Sequence, residues 1–232
     1  NVEILKLAAG STVTLGTEAN NSGNGFTTVN VSAGGANTIN NSTINNLSVI
    51  GGAGTDTLNI SGGVAINASN LSGVENLNIT SGTSAMTGTL SAATTATIAS
   101  GATLTTTVPS TTLSGKTIVI NGSLSATGVN GTDVSHVTLN SGGTASFTLT
   151  SGGTLDASVA GFSKDVNGLL KIYGNAGNET ITIDSAKFTN AGDLISDSSG
   201  TDTLVVTGSS AIDFTKISGM EVIDLTNYNG TT

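Results

Sequence analysis

Fifteen carboxylates, six lysines and one histidine carry nearly all the ionisable chemistry of this 232-residue chain, which has no cysteine and no arginine. The carboxylates fall in a recurrent setting. Gly51-Gly52-Ala53-Gly54-Thr55-Asp56 places an acid at the end of a glycine-rich turn, and Asp197-Ser198-Ser199-Gly200-Thr201-Asp202 does the same. Gly174-Asn175-Ala176-Gly177-Asn178-Glu179 repeats the phrase with Glu in place of Asp. Glycine tolerates positive φ, so such a turn can aim its carbonyls inward. The acid adds a hard oxygen, and clustered hard oxygens suit Ca2+, which takes six to eight of them. One loop cannot supply that many, so a site of this kind needs two loops stacked on one another.

For Asp56 the expected partner is Asn37, at the matching place of the shortened phrase Gly34-Gly35-Ala36-Asn37 one repeat earlier. An amide brings a carbonyl oxygen and no charge, which makes a weaker site. The alternative there is a glycine turn whose Asp bonds its own backbone. Glu179 and Asp202 close successive copies of the phrase, and the acidic group expected around them also takes in Asp193 and Asp197, with Asp213 as a further candidate. Unpaired acids repel one another and a divalent cation relieves the repulsion. The greater charge makes this later group the one expected to fill first. Glu3, Glu75 and Glu221 each precede an apolar segment and are expected to cap corners by accepting backbone N–H bonds.

Other chemistries find little support, and the chain does not read as an enzyme. His136 has Val134, Val137 and Leu139 for neighbours and is expected on a strand. A Ser-His-Asp system has only that histidine to draw on. A polysaccharide lyase needs a cation beside a base, and the few lysines show no such convergence. A net charge of −9 argues against nucleic acid and against anionic lipid headgroups. There is no apolar run long enough to cross a membrane. Thr95-Ala96-Thr97 and Thr103-Leu104-Thr105-Thr106-Thr107 resemble the threonine ladders of ice-binding solenoids, but the Thr-x-Thr motif does not recur at one position per coil.

The acids must be positioned by short extended segments, because helix signals are nearly absent. Leu58-Asn59-Ile60, Leu77-Asn78-Ile79, Ala96-Thr97-Ile98, Ile118-Val119-Ile120 and Val137-Thr138-Leu139 alternate apolar and polar residues and run into Ser, Asn or Gly. That is the period of a strand bounded by turns. Ile60, Ile79, Ile98, Ile120 and Leu139 follow one another at a nearly constant step along the chain. A longer self-similarity overlies this spacing. Residues 54–80 match 200–226 without a gap at an offset of 146, with twelve of 27 positions identical, and Asn1–Leu7 repeats Gly73–Ile79. Repetition in one sense marks a repeat architecture.

The fold expected is therefore all-β, a right-handed parallel β-solenoid (β-helix or β-roll-like) with irregular coils; the alternative is a set of antiparallel β-sandwich repeats. With 36% of residues apolar and recurring in register, the Gly/Ser/Thr/Asn-rich chain is not read as linker. Residues 81–115 carry little core, with Pro109 at a corner or an edge. Residues 164–168 read as a turn, and Asp184–Leu194 has room for one short helical turn. Eleven of the 15 carboxylates lie from Asp133 onward, which suggests a repeat region over 1–155 and an acidic one over 156–232, continuous with it. The chain opens in mid-repeat and reads as a segment of a longer protein whose export signal lies elsewhere.

Gly51-Gly52-Ala53-Gly54-Thr55-Asp56-Thr57-Leu58-Asn59 fits the nonapeptide G-G-x-G-x-D-x-U-x at every position and resembles the calcium-binding repeat of RTX proteins. Together with the composition of the whole chain, it resembles bacterial surface-layer proteins of the RTX-like, type I-secreted kind. The resemblance implies a secreted protein at the bacterial cell surface that assembles with itself into a lattice, packed with the help of Ca2+. Anchorage to a cell-surface polysaccharide would be carried by a region outside this chain. RTX proteins hold their ions with tandem nonapeptides, whereas here the phrases are isolated. A repetitive adhesin or autotransporter-type passenger stalk, binding a surface ligand, shares the composition and is the alternative.

Overall fold

The structure, a computed structural model, describes residues 3–17, 25–91, 94–107, 117–131 and 133–231. Pro109, and Asn1 and Val2 of the opening copy, lie outside these. The chain forms a parallel β-solenoid of about ten turns. Every strand pairing among the described residues is parallel, which rules out the antiparallel sandwich. Among the same residues there is no α-helix, and no helix is long and apolar enough to cross a membrane. Two compact units make up the chain, one of residues 1–106 and 116–122, the other of 107–115 and 123–232. The change of composition near residue 155 falls inside the second.

In the first unit the longest ladder stacks Thr12–Leu15, Thr38–Asn41, Thr57–Ile60, Asn76–Ile79, Thr95–Ile98 and Thr117–Ile120. A second ladder joins Ile4–Lys6, Thr28–Asn30, Ser48–Ile50 and Leu71–Ser72. A third holds Ile66–Asn67, Gly82–Thr87 and Ala102–Thr107. Successive side chains on a strand point to opposite faces, so the apolar-x-apolar segments put one row inside and the intervening row outside. Ile60, Ile79, Ile98 and Ile120 form one unbroken inward column, each at most 1% exposed. Leu58, Leu77, Ala96 and Ile118 form the column beside it.

The outward rows of this ladder read Thr12/Thr14, Thr38/Asn40, Thr57/Asn59, Asn76/Asn78, Thr95/Thr97 and Thr117/Val119, so Thr-x-Thr stands in two of the six coils and does not recur in each, as expected, while Thr or Asn returns at the first outward position of every one. Asparagine substitutes for threonine because its amide can bond up and down the stack. Asn59 Nδ2 donates to Asn40 Oδ1 at 2.8 Å, and Asn78 Nδ2 to Asn59 Oδ1 at 2.9 Å.

The second unit is built the same way. Ser123–Val129, Thr144–Leu149, Leu169–Tyr173, Leu194–Ser196 and Ile217–Ser218 form one ladder. Thr154–Asp156, Thr180–Asp184, Thr203–Gly208 and Val222–Tyr228 form another, and Val137–Leu139 pairs with Ser163–Lys164. Phe147, Phe162 and Phe188 are buried here, as is Leu139. The single helical turn expected within Asp184–Leu194 is the 3-10 turn Ser185–Lys187, capped by Asp184. His136, expected on a strand, lies in the turn before Val137, exposed, with its Nδ1 2.9 Å from Ser135 Oγ. The turn over 164–168 begins one residue later than expected, since Lys164 ends a strand.

The offset of 146 is kept by most elements of the structure, though the strand Ile66–Asn67 has no counterpart at 212–213. Ser48–Ile50 answers to Leu194–Ser196, and Thr57–Ile60 to the start of Thr203–Gly208. The 3-10 turn Ala68–Asn70 answers to Phe214–Lys216, and Asn76–Ile79 to the start of Val222–Tyr228. Even the caps correspond. The Asn67 side chain accepts from Ser69 N, and that of Asp213 from Thr215 N.

Candidate metal site

Each acid of interest stands immediately before a strand, at a corner. In this position a side-chain oxygen can reach the backbone N–H of the residue stacked beneath it. Glu75 Oε2 accepts from Asp56 N at 2.8 Å, and Glu221 Oε2 accepts from Asp202 N at 2.8 Å. The capping role expected of these two glutamates is what they perform. Asp56 Oδ1 likewise accepts from Asn37 N at 3.1 Å, and Asp202 Oδ1 from Glu179 N at 2.7 Å. The corners are thus ladders of carboxylates, each anchored to the coil below.

In the first unit the ladder is closed by an amide. Asn37 and Asp56, both 1% exposed, meet as expected, but nitrogen faces the carboxylate. Asn37 Oδ1 accepts from Ser11 N at 2.9 Å, which fixes the orientation, because a backbone N–H can only donate. Asn37 Nδ2 then donates to Asp56 Oδ1 at 2.8 Å and Gly35 O at 2.9 Å, with Gly34 O at 3.3 Å. Gly52 N donates to Asp56 Oδ2 at 2.9 Å. Gly51 N donates to Ser72 O at 2.6 Å, and Gly54 turns the loop at φ 117°. Both oxygens of Asp56 are satisfied by N–H donors of the chain itself.

In the second unit the corresponding corner holds three acids. Glu179 stands over Gly153, Asp202 over Glu179, and Asp197, the counterpart of Gly51 at the offset of 146, opens the loop. The loops 174–179 and 197–202 lie directly against each other, joined by a bridge between Ala176 and Ser199 and by Gly177 N donating to Ser199 O at 3.3 Å. Glycine is required on this seam. A Cβ on Gly174 would overlap the Asp197 carboxylate, and one on Gly200, at φ +139°, would overlap Gly177 O. Glu179, Asp197 and Asp202 each present an oxygen within 4.8 Å of the others'.

Donors run out here. Glu179 accepts from Gly152 N and from Asn175 N, and Asp197 Oδ1 accepts from Ser198 N and Ser199 N. Asp197 Oδ2 and Asp202 Oδ2 are shut off from solvent without any hydrogen-bond partner. Leaving buried carboxylate oxygens unpaired is costly unless a cation serves them. Burial pushes the Glu179 carboxyl above the usual carboxylate range; the Gly152 and Asn175 amides pull it back, and Asp197 beside it pushes it up further.

That shift has a sign that can be checked. A carboxyl whose folded pKa is raised favours the native state when protonated, and the favour is lost as pH rises through that pKa. In chelator, stability should therefore rise on acidifying from neutrality towards the ordinary carboxylate range, and buried Asp133, also pushed up, adds to the trend. Glu179→Gln should flatten the slope of melting temperature against pH, and an unchanged slope would show that Glu179 is not the strained group.

Asp193 does not join this group. It precedes a strand of the other ladder, where its Oδ1 accepts from Leu170 N and its Oδ2 from Asn190 N, both at 2.8 Å. Its Oδ2 lies 3.1 Å from Lys164 Nζ, with both side chains at most 1% exposed. A lysine already supplies the countercharge that an ion was expected to bring. Asp213 is also elsewhere, capping a 3-10 turn beside Lys216. Lys164 is the residue that sequence reasoning missed, since nothing in a lysine next to Asp165 and a turn marks a side chain aimed inward. Lys187 was missed as well; its Nζ donates to the carbonyls of Ser158 and Val159 at 3.1 and 2.8 Å.

The chain thus fills its inward-turned corners with its own nitrogen at Asn37, Lys164 and Lys187, and supplies none to the free oxygens of Asp197 and Asp202. The donor set there is all oxygen and acidic, which suits a hard divalent cation and offers nothing to a soft one. Comparison with family models, with curated proteins and with solved structures finds no match to this chain.

Proposed function

We propose that this chain is a structural component of a self-assembling extracellular surface layer, and that its second unit is fastened by Ca2+ at Glu179, Asp197 and Asp202. The observation carrying the calcium reading is the pair of buried, unpartnered oxygens, Asp197 Oδ2 and Asp202 Oδ2, on two stacked loops. Bound there, the ion would lock loop 174–179 to loop 197–202 and neutralise the acids. The assembling role is supported by the repetitive solenoid, by a chain with only 9% charged residues, and by the resemblance of the glycine phrases.

Melting with and without Ca2+ tests the site. A ligand that binds only the native state stabilises it by about 2.7 kcal/mol at a hundred times its Kd, which moves the melting temperature measurably. Wild type and Asp56→Asn should both gain from Ca2+, while Asp202→Asn should not. Equal gains in all three proteins, or none in wild type, would remove the calcium site. Electron microscopy then tests the layer, which should form ordered sheets in Ca2+ and disperse in chelator. A monomer under both conditions would favour the stalk instead.

A further inference from the structure

In the second unit a lysine stands where an inward column brings aliphatic residues elsewhere. Leu139, fully buried, pairs with Lys164 on the next parallel strand. The Lys164 amine is shut off from solvent and makes no hydrogen bond. Lys187 differs, since it spends its N–H groups on the carbonyls of Ala157, Ser158 and Val159. An ammonium carries three N–H donors, and leaving all of them unspent away from water is costly. What the Lys164 amine does meet is a carboxyl group, Asp193 Oδ2 at 3.1 Å, with neither side chain more than 1% exposed. The backbone holds that carboxyl in place, Leu170 N donating to Oδ1 and Asn190 N to Oδ2, each at 2.8 Å.

We propose that Lys164 and Asp193 become joined by an amide bond between their side chains, formed by the folded chain itself. The ion pair is the reactant. One proton passes from the ammonium to Oδ2, which leaves an amine beside a carboxylic acid. The nitrogen lone pair then adds to Cγ, and charge builds on Oδ1, where the Leu170 N–H already points. A second proton moves from nitrogen to Oδ2, the Cγ–Oδ2 bond breaks, and Oδ2 departs as water. The third proton stays as the amide N–H, so nothing is oxidised or reduced and no further reactant enters. Fixed contact favours the step, because the two groups need not find each other. Burial favours it too, because a neutral amide replaces two charges held away from water. The bond closes a ring from residue 164 to residue 193 and ties the end of one ladder's strand to a corner of another. Such a ring restricts the unfolded chain as a disulfide does, in a chain that has no cysteine to make one. The proposal rests neither on the calcium site nor on assembly.

Mass spectrometry tests it on the purified chain, kept folded at neutral pH and then denatured. Wild type should be lighter than its sequence by one water. Proteolysis should release a branched peptide that joins the segment containing Lys164 to the one containing Asp193. Lys164→Met and Asp193→Ala should each keep the full mass, whereas Lys171→Met, on the outward row of the strand Leu169–Tyr173, should show the same loss as wild type. Wild type and Lys171→Met decide the matter even where the two core variants fail to fold. A wild type of full mass overturns the bond and leaves an ion pair. So does a loss that persists in Lys164→Met, or a branched peptide that joins other residues.

Discussion

Replacing Ile79 by Asp should unfold the first unit. Ile79 is fully buried in the middle of the inward column, with Ile60 on one side and Ile98 on the other. A carboxylate there would lose its water without meeting a cation, because the nearest strands offer only aliphatic side chains and spent backbone bonds. The expected loss is about 4–5 kcal/mol or more, beyond the range of ordinary substitutions. Stability in a solenoid is roughly a sum over neighbouring coils, so the damage should spread to both interfaces of the mutated coil. Thr97→Asp, on the outward row one coil away, is the control and should stay within about 0.5 kcal/mol of wild type. Denaturant titration followed by circular dichroism reads both, and equal midpoints for the two variants would show the inward row to be misassigned.

Lys164→Met should be the most damaging change in the second unit. Its amine and the Asp193 carboxylate are both removed from water and lie 3.1 Å apart. Removing the lysine leaves Asp193 with two N–H bonds but no countercharge, and uncompensated buried charges of this kind cost about 3–5 kcal/mol. The double variant Lys164→Met/Asp193→Asn should regain part of the loss, because the amide carries no charge and its single oxygen keeps an acceptor for one of the two N–H groups. A Lys164→Met protein as stable as wild type would mean that the carboxylate has water or another cation in reach.

Those two predictions mark what could and could not be read in advance. The Ile79 column was legible because its period survives in the letters: every coil in that stretch brings an aliphatic residue back at nearly the same interval. The acid corner was legible in its loops, since Gly174, Gly177 and Gly200 mark where two backbones touch. What the letters could not show was which acids already had a partner. Asp193 and Asp197 are close in sequence and are the same residue type, yet one faces Lys164 and the other faces Asp202. Their separation depends on which ladder each corner begins, and the uneven lengths of the coils in the second unit blur that assignment. The histidine misled for a simpler reason: valines on both sides of His136 imitate a strand where the chain is still turning. The absence of a Thr-x-Thr ladder was legible too; what the letters did not show is that asparagines bond to one another along the same outward face.

The amide at Asn37 has a consequence for how such a chain changes over generations. The self-sufficient corner and the acidic one differ mainly at two places, Asn37 against Glu179 and Gly51 against Asp197. The two places are not equally open to change. A Cβ on Gly51 would overlap the Gly73 carbonyl of the next loop, so an acid can enter there only after that loop has moved aside. A duplicated corner therefore passes from holding itself shut to depending on its surroundings only once the backbone packed on it has yielded.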